Sequence, residues 1–352
     1  MVATQYLAWR MANTTRTTSG PTVKRGDDIL DGPYPQSFAE FVGQDMAVDQ
    51  IMAAIMSAFH RTARLDHVLL DSGSPGIGKS SLARLIAHRR GAGFVELGGN
   101  VKETDAAKAL KSMVDGDILF LDEIHRLVHR GKAGIEWLLT LMEEGQLHLP
   151  TGVVKAPDIT VIGATTDGQK LPQTILDRFP IKPVLEPYSD AEALQIAVLT
   201  AKRQGFGDIL PMPTSTAWLA HVAAACVNNP RRIRQLLIAV RDSSLAKGLT
   251  PGEDGYDITV ALTWSGLTRD GLDRLAQQYL VGLLSYGGVT GASTLKALLQ
   301  TEHIQHTEDD LVQRGYVQVT PKGRALTDFG QERAESLAEE LIEKYNATKE
   351  AA

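Results

Sequence analysis

Short apolar segments alternate with amphipathic helical segments between residues 35 and 182. The apolar segments are His67–Leu70, Gly93–Leu97, Ile118–Leu121 and Ile159–Ile162. They are apolar on both faces, which is typical of strands in a parallel sheet that is covered by helices on both sides. The pattern therefore predicts an α/β domain over residues 35–182.

The pattern becomes helical after residue 182. Helical periodicity covers residues 189–204, 214–227 and 230–247, and no convincing strand pattern interrupts it. We predict a small helical domain over residues 183–254, which ends at a turn-rich segment, 250–255.

Residues 255–330 combine helices with a hairpin. Helical periodicity lies near residues 267–285, 292–300 and 307–314. Two short strands, Tyr316–Val319 and Ala325–Thr327, then flank the basic turn 320–324. Three helices followed by a hairpin predict a winged helix-turn-helix, a module that commonly binds DNA.

The two ends of the chain differ from these segments. Residues 1–34 are rich in Thr, Ser, Gly and Asp, lack periodicity and end in the turn Asp31-Gly32-Pro33. They predict a flexible N-terminal arm, with ordered structure from about Pro35. Residues 331–352 repeat apolar or small side chains at helical spacing, with acidic residues between them, and predict a C-terminal helical tail.

The composition limits the class of protein. The chain has 352 residues, 43% of them hydrophobic, and a formal net charge of −6. Its single cysteine, Cys226, excludes a disulfide framework. Neither a secretory signal nor a membrane-spanning segment is expected from the apolar runs. We therefore expect a cytoplasmic protein of several domains without a membrane partner.

Positive charge is concentrated in one region. Residues 178–247 hold nine Lys and Arg against five Asp and Glu, whereas residues 257–330 hold six against eight. The overall charge excludes a globally basic nucleic-acid coat protein but allows a local DNA-binding face. Composition gives no independent support for DNA binding by the winged helix.

A phosphate-binding loop lies between the first predicted strand and the next helix. Residues 73–80, GSPGIGKS, match the pattern G-x-x-x-x-G-K-[ST]. The glycines allow backbone N–H groups to converge on phosphate oxygens, Lys79 supplies a charge near the β- and γ-phosphates, and Ser80 can bind Mg²⁺. A chance glycine-rich turn is the alternative, but the flanking strand and helix favour a nucleotide site.

Two carboxylates, Asp122 and Glu123, end the predicted strand that begins at Ile118. Asp122 can hold Mg²⁺ through water, and Glu123 can orient or deprotonate the water that attacks the γ-phosphate. Taken alone, these two carboxylates are explained equally well as the solvent-exposed end of a strand. Its pairing with the phosphate loop favours a nucleotide-hydrolysing site.

Two further positions are candidates for the same site. The strand that begins at Ile159 ends in Thr165 and Thr166, and a hydroxyl there can sense the γ-phosphate, position water or simply cap a loop. Arg178 follows 12 residues later. It can act as an arginine finger on a neighbouring subunit. A surface salt bridge with Asp177 or another acid is the alternative.

Arg231 lies in the first turn of a predicted helix, after the capping residue Asn229 and after Pro230. A cation in the first turn opposes the helix dipole. A phosphate that Arg231 reaches therefore explains its position better than helix stability does, and a solvated charge is the alternative.

Together these features resemble an ATPase of the AAA+ class, an α/β P-loop NTPase with a helical lid domain. Six motifs, in the same order along residues 35–328, resemble the RuvB family of bacterial motors that drive Holliday-junction branch migration. The motifs are PQSFAEFVGQ at 35–44, DHVLL at 66–70, LDEIHRL at 121–127, IGATT at 162–166, VRD at 240–242 and TPKGR at 320–324. The resemblance implies an ATP hydrolase and DNA helicase of recombination and repair, with ATP and Mg²⁺ as cofactors. It also implies a hexameric ring around duplex or branched DNA that works with the junction-binding protein RuvA.

The resemblance further implies roles for individual residues. The phosphates would be bound by Gly73, Pro75, Gly76, Gly78, Lys79, Ser80 and Ser81. The adenine would lie against Phe41, Val42 and Tyr188. Ser80 and Asp122 would serve the metal, Glu123 the attacking water, and Thr166 would be the γ-phosphate sensor. Arg178 would be the finger for the next subunit, and Arg231 the lid arginine that reports the nucleotide state. The DNA phosphates would meet Lys322 and Arg324.

Three features depart from the family pattern. The segment His148–Ile159 is shorter than the family's hairpin that docks on RuvA, which puts a RuvA-like adaptor in doubt. One extra residue precedes Gly73, and the acids 308–310 of the third winged-helix helix are unfavourable beside DNA phosphates. We expect a DNA translocase that drives branch migration. The alternative is an AAA+ loader or initiator, an ATP switch that places a partner protein on DNA.

Overall fold

The computed structural model describes residues 22–350 except 33, 131, 211–214, 252–257 and 303. The predicted arm before residue 22 and the predicted domain boundary at 254–255 therefore lie outside the described residues. The chain divides into two compact units, Met1–Tyr188 and Ser189–Ala352. Among the described residues, no helix is both long and apolar enough to cross a membrane.

The first unit contains the predicted parallel sheet. Its strands and those of a small hairpin are β1 Val68–Ser72, β2 Phe94–Gly98, β3 Ile118–Asp122, β4 Gln146–Leu149, β5 Gly152–Lys155, β6 Thr160–Thr165 and β7 Val184–Leu185. Its helices are α1 Asp45–His60, α2 Lys79–Arg90, α3 Glu103–Leu110, α4 Lys132–Glu144 and α5 Gln173–Leu176. Short 3₁₀ helices lie at Gly26–Ile29, Phe38–Glu40, Ile124–Arg130 and Gly168–Lys170.

The five strands of the sheet have the order β2-β3-β6-β1-β7, and each strand is parallel to its neighbours. Side chains of β3 and β6 are buried along almost their whole length, as in a sheet that is covered on both faces. The prediction of an α/β domain with a parallel sheet is confirmed. The order also places the carboxyl ends of β3, β6 and β1 side by side.

Packed structure begins earlier than the predicted start at Pro35. Lys24 pairs with Phe94 at the edge strand β2 through two backbone hydrogen bonds of 2.9 and 2.8 Å. Arg25 donates two hydrogen bonds to Asp117, at 3.0 and 2.7 Å, and Ile29 is fully buried. The prediction of a flexible arm up to residue 34 is therefore wrong for these residues. These residues show no hydrophobic periodicity because individual side chains anchor them to the domain, whereas a helix or strand would do so with a repeating apolar face.

The helical part of the second unit is longer than predicted. Its helices are α6 Asp190–Arg203, α7 Ala217–Ala225, α8 Pro230–Lys247 and α9 Thr259–Trp264. Helix α9 belongs to the same core because Ile258, Ala261 and Leu262 are buried with side chains of α6 to α8. The helical core therefore extends beyond residue 254, and the next core begins at Leu272.

The rest of the second unit has the predicted three helices and hairpin. The three helices are α10 Arg274–Ser285, α11 Ala292–Leu299 and α12 Gln305–Gln313, and the tail helix is α13 Asp328–Glu350. The strands are β8 Val289–Thr290, β9 Val317–Thr320 and β10 Gly323–Leu326. The strands form an antiparallel sheet in the order β8-β10-β9, and β8 was not indicated by the pattern. Ala334 and Leu337 of α13 are buried in this core, so the tail helix is part of the module.

Candidate functional site

The candidate site lies where β1, β3 and β6 end. In the sheet, Asp71 of β1 pairs with Thr165 of β6, and Leu121 of β3 pairs with Gly163 of β6. The phosphate loop follows β1, the two carboxylates follow β3, and the threonine pair follows β6. The strand order therefore brings the three predicted motifs to one edge, which is the usual binding edge of a parallel α/β sheet.

The phosphate loop connects β1 to α2, whose first residue is Lys79. Gly78 has a φ of +119°, and a Cβ at this position would lie 3.2 Å from the Phe41 ring, so the site requires glycine. Ser80 and Ser81 follow in the first turn of α2, where backbone N–H groups remain available for an anion. The loop therefore has the local geometry that its sequence predicts.

The Lys79 amine is held at the base of the loop. Its side chain is buried, and Nζ donates to Ser72 Oγ at 2.6 Å and to the Ser74 carbonyl at 3.4 Å. Ser72 is the last residue of β1, so the end of the strand supplies an acceptor for the lysine. The amine is positioned before a phosphate arrives, which favours anion binding.

Two aromatic residues lie against the phosphate loop. Phe41 and Tyr188 are both buried, and the Tyr188 hydroxyl donates a 2.8 Å hydrogen bond to the Ile77 carbonyl. Val42, which follows Phe41, is half-buried. The structure thus places Phe41 and Tyr188 beside the loop, as an adenine pocket requires.

Glu123 and Thr166 are in direct contact. Thr166 Oγ1 donates a 3.0 Å hydrogen bond to Glu123 Oε2. The Glu123 backbone has a φ of +54°, an unusual value for a residue other than glycine, and its N–H donates to Asp122 Oδ1 at 3.1 Å. Unusual backbone conformations occur often at active sites, where surrounding contacts hold them. The geometry brings together the side chains predicted for metal, water and γ-phosphate.

His125 is a site residue that the sequence analysis quoted only within a motif. Its Nδ1 lies 2.9 Å from Thr165 Oγ1, and its Nε2 lies 3.4 Å from Glu123 Oε2. Burial lowers the pKa of His125 although Glu123 acts in the opposite direction, so the ring is neutral near pH 7. Thr165 Oγ1 accepts from the Asp167 N–H and is free to donate to Nδ1, which leaves Nε2–H directed at Glu123.

The two predicted arginines lie in different units. Arg178 forms an ion pair with Glu143 of α4. This is the salt bridge that the sequence analysis gave as the alternative, and its acid is Glu143 and not Asp177. Arg231 is exposed in the first turn of α8, where Asn229 caps the helix by accepting from its N–H at 3.1 Å. Their roles as finger and lid arginine stay predictions.

The structure separates the two predicted DNA contacts. Lys322 is exposed in the turn between β9 and β10, as a phosphate contact requires. Arg324 instead donates two hydrogen bonds to Glu308, at 2.8 and 2.9 Å, and Glu308 is only 2% exposed. The Tyr279 hydroxyl binds the same carboxylate at 2.8 Å.

These contacts bear on two expectations. Arg324 neutralises a buried carboxylate, which would be costly without its partner, and a contact between Arg324 and DNA stays a prediction. Glu308 does not oppose DNA phosphates, since its charge lies inside the module. Asp310 is also paired, with Arg232 and Arg314, whereas Asp309 is exposed.

The comparisons with known proteins agree with this geometry. The family model described as the Holliday junction DNA helicase RuvB P-loop domain matches residues 34–185. The chain is 35% identical over 320 residues to the Holliday junction branch migration complex subunit RuvB of Rhodospirillum centenum, which covers 87% of this chain and 85% of that protein.

Solved structures give the same result. The chain matches the Thermotoga maritima RuvB Holliday junction branch migration motor with a TM-score of 0.72 and 29% identity, over 86% of this chain and 98% of that one. A point mutant of Thermotoga maritima RuvB matches over the same shares with a TM-score of 0.73. Because both sequence and fold agree along most of its length, this chain belongs to the RuvB family.

Proposed function

We propose that this protein is an ATP-driven DNA motor that promotes branch migration of Holliday junctions in the cytoplasm. The observation that carries the proposal is the contact between Thr166 and Glu123 at the strand edge that also holds Lys79. This arrangement positions the groups that hydrolysis of a nucleoside triphosphate needs. A DNA-binding module with a degenerate nucleotide site would have no reason to keep them together.

The residues of the site fit ATP with Mg²⁺. The buried Lys79 amine and the N-terminus of α2 supply positive potential for the β- and γ-phosphates, and Phe41 and Tyr188, which lie against the loop, would border the adenine. Ser80 and Asp122 are the oxygen ligands that would hold Mg²⁺, directly or through water. When bound, the ion neutralises charge that develops on the phosphate oxygens.

The chain's own residues perform the hydrolytic step. Glu123 orients the attacking water and accepts its proton, while Thr166 and the neutral ring of His125 hold the carboxylate in position. The Thr166 hydroxyl can exchange this carboxylate for a γ-phosphate oxygen. Such an exchange would release Glu123 toward water only when the triphosphate is present.

Arg178 would complete the site of a neighbouring copy in a homo-oligomeric ring, which we propose is a hexamer. In the single chain its guanidinium is paired with Glu143 and about one third exposed. It can change partner at low cost because an exposed ion pair contributes little. Ring assembly would then place its charge on the transferred phosphoryl group.

DNA would be held by the winged helix, with Lys322 on a backbone phosphate. The hairpin β4–β5 has strands of only four residues. We therefore propose that a RuvA-like adaptor, if used, contacts this protein through a smaller surface than the family's hairpin provides. The loader alternative is not favoured, because the sequence similarity to RuvB covers both units.

The test is steady-state ATP hydrolysis by the purified protein alone, with linear duplex and with a four-way junction, together with movement of a labelled junction. We expect the junction to stimulate hydrolysis most and ATP to drive branch migration. K79A should abolish both activities, whereas K111A, a change at an exposed lysine after α3, should abolish neither. Hydrolysis that no DNA stimulates and a junction that does not move would overturn the proposal.

A further inference from the structure

The first turn of α8 carries two adjacent arginines with different surroundings. Arg231 is exposed, whereas Arg232 Nη1 donates a 3.2 Å hydrogen bond to Asp310 Oδ2. Helix α8 belongs to the helical core, and Asp310 lies on α12 of the winged-helix core. An ion pair therefore connects the turn that holds the predicted nucleotide-sensing arginine to the winged-helix core.

Arg314 extends this contact. Its Nε donates to Asp310 Oδ1 at 3.4 Å, so the carboxylate lies between two guanidinium groups. Its Nη1 donates to the Asp270 carbonyl at 2.5 Å, and its Nη2 lies 3.4 Å from the carbonyl of Ala225, the last residue of α7. The side chains of Asp310 and Arg314 are 12% and 11% exposed, so these bonds are largely shielded from water.

The loop between the two cores is fixed from both sides. Gly271 has a φ of +80°, and a Cβ there would lie 1.9 Å from the Ala225 carbonyl oxygen, so the loop backbone packs directly on α7. On the other side, Arg333 of α13 donates two hydrogen bonds to Asp270, at 2.9 and 2.7 Å. The helical core and the winged-helix core are therefore joined by packing and by a charged network.

We infer that Arg232, Asp310 and Arg314 form a coupling joint that transmits movement of the first turn of α8 to helix α12 of the winged-helix core. The inference rests on the proposed function. A rotation of α8 that brings Arg231 to a nucleotide carries Arg232 with it, and the paired Asp310 must follow because a shielded carboxylate cannot lose its cations without a large cost. We assign these as positioning residues, because they act through Arg231 and through helix α12.

Cys226 provides a probe of this joint. It directly follows Ala225, is 1% exposed, and is the only cysteine of the chain. Burial raises the pKa of its thiol to about 12, although Arg232 and Arg314 act in the opposite direction, so it is unreactive while the joint is closed. A joint that opens would expose the thiol to a labelling reagent.

The experiment compares the full-length protein with R232Q, D310N and the conservative variant R232K. The control is R241Q, because Arg241 of the same helix pairs only with its chain neighbour Asp242 among the contacts of the described residues. Thiol labelling, ATP hydrolysis without DNA, junction affinity and branch migration per ATP hydrolysed are measured. The R232Q/D310N double variant tests whether the two residues act as one unit.

We expect R232Q and D310N to increase the labelling rate of Cys226 and to lower branch migration per ATP by at least about threefold each. Hydrolysis without DNA and junction affinity should stay within about twofold. R232K and R241Q should behave like the unchanged protein, and the double variant should lose no more than the worse single one. The proposed joint would be overturned if R232Q and D310N left the labelling rate of Cys226 unchanged. It would also be overturned if they increased labelling but left branch migration per ATP unchanged.

Failure of the proposed function has a different signature. If the unchanged protein moves no junction, the motor proposal fails and the joint is judged by labelling alone. A non-hydrolysable ATP analogue should then change the labelling rate of Cys226 in the unchanged protein but not in R232Q. The same change in both proteins would overturn the joint, because the nucleotide signal would not pass through Arg232.

Discussion

Thr166 Oγ1 donates a 3.0 Å hydrogen bond to Glu123 Oε2, so the ends of two neighbouring strands meet through their side chains. The same carboxylate oxygen lies 3.4 Å from Nε2 of His125. A carboxylate with two such neighbours is held in place before the attacking water is bound, which reduces reorganisation during hydrolysis. We therefore expect Thr166 to act on hydrolysis through Glu123 as well as through the phosphate.

Replacing Thr166 with valine removes the hydroxyl with little change in volume. We expect T166V to lower kcat for ATP hydrolysis by about 100-fold, because the carboxylate loses a donor and the phosphate loses a contact. Nucleotide affinity should change little, since Lys79 and the loop are intact. Steady-state hydrolysis and binding of a fluorescent nucleotide measure the two quantities. T140V, which removes a hydroxyl bonded to its own helix, is the control; an equal loss there would contradict this role.

If Arg178 acts on a neighbouring subunit, the loss of ATP hydrolysis in R178A should be partly restored by mixing with a variant that is defective at a different residue. R178A should reduce ATP hydrolysis by about 10³-fold if the residue stabilises the phosphoryl group of a neighbouring subunit. K79A keeps an intact Arg178, and R178A keeps an intact nucleotide site. Mixing the two variants should therefore restore part of the hydrolysis. E143Q removes the partner seen in the single chain and should keep activity, whereas no recovery on mixing would exclude action between subunits.

The parallel sheet and the three motifs were predictable because each depends on a local pattern. Strands buried on both faces lack polar positions, and the phosphate loop needs its glycines and lysine at fixed spacing. The sequence predicted only that Thr166 and Glu123 lie at the same edge of the sheet. Their direct contact depends on β3 and β6 being neighbours, and the hydrophobic pattern does not give the strand order.

The features that the sequence analysis missed depend on contacts between distant residues. The ion pair of Arg324 was not predicted because its partner Glu308 lies on α12, and only the packing of α12 beside β10 brings the two together. The predicted N-terminal arm extended too far along the chain for the same reason. Arg25 has a local surrounding typical of a solvated residue, but it pairs with Asp117, which is far from it in the sequence.

Removal of the Arg324 guanidinium should destabilise the winged-helix module. R324Q leaves Glu308 buried without its cation, and we expect the free energy of unfolding to fall by about 3 kcal/mol. Urea unfolding monitored by circular dichroism measures this loss. K322Q changes an exposed lysine and should stay within about 0.5 kcal/mol. A stable R324Q that binds junction DNA weakly would instead support the original expectation of a DNA contact.

Lys322 should contribute to DNA affinity without affecting stability. K322Q should weaken junction binding on all sequences alike and reduce the slope of log affinity against log salt by about one for each subunit in contact, because one phosphate contact is lost. Fluorescence anisotropy over a salt series measures the slope. K296Q is a matched control, since the Lys296 amine pairs with Glu302. Equal slopes for K322Q and the unchanged protein would show that the wing does not meet a phosphate.

Asp270 should make the second unit sensitive to acid. Burial alone would raise the pKa of Asp270, but hydrogen bonds from Arg333 and Thr268 lower it to about 2. Since the folded-state pKa lies below the ordinary value, the carboxylate stabilises the fold above about pH 4, and this contribution is lost as the pH falls toward 2. The loss amounts to at most about 2 kcal/mol, because solvent partly screens the side chain.

D270N tests this acid sensitivity. It should lower the free energy of unfolding at neutral pH and flatten its dependence on pH between about 5 and 2. Glu308, whose pKa is also lowered because hydrogen bonds from Arg324 and Tyr279 outweigh its burial, should leave a residual slope in the same direction. E332Q, at an exposed position of α13, should keep the full slope. Urea unfolding at a series of pH values measures both variants, and a D270N slope equal to that of the unchanged protein would exclude Asp270 as its source.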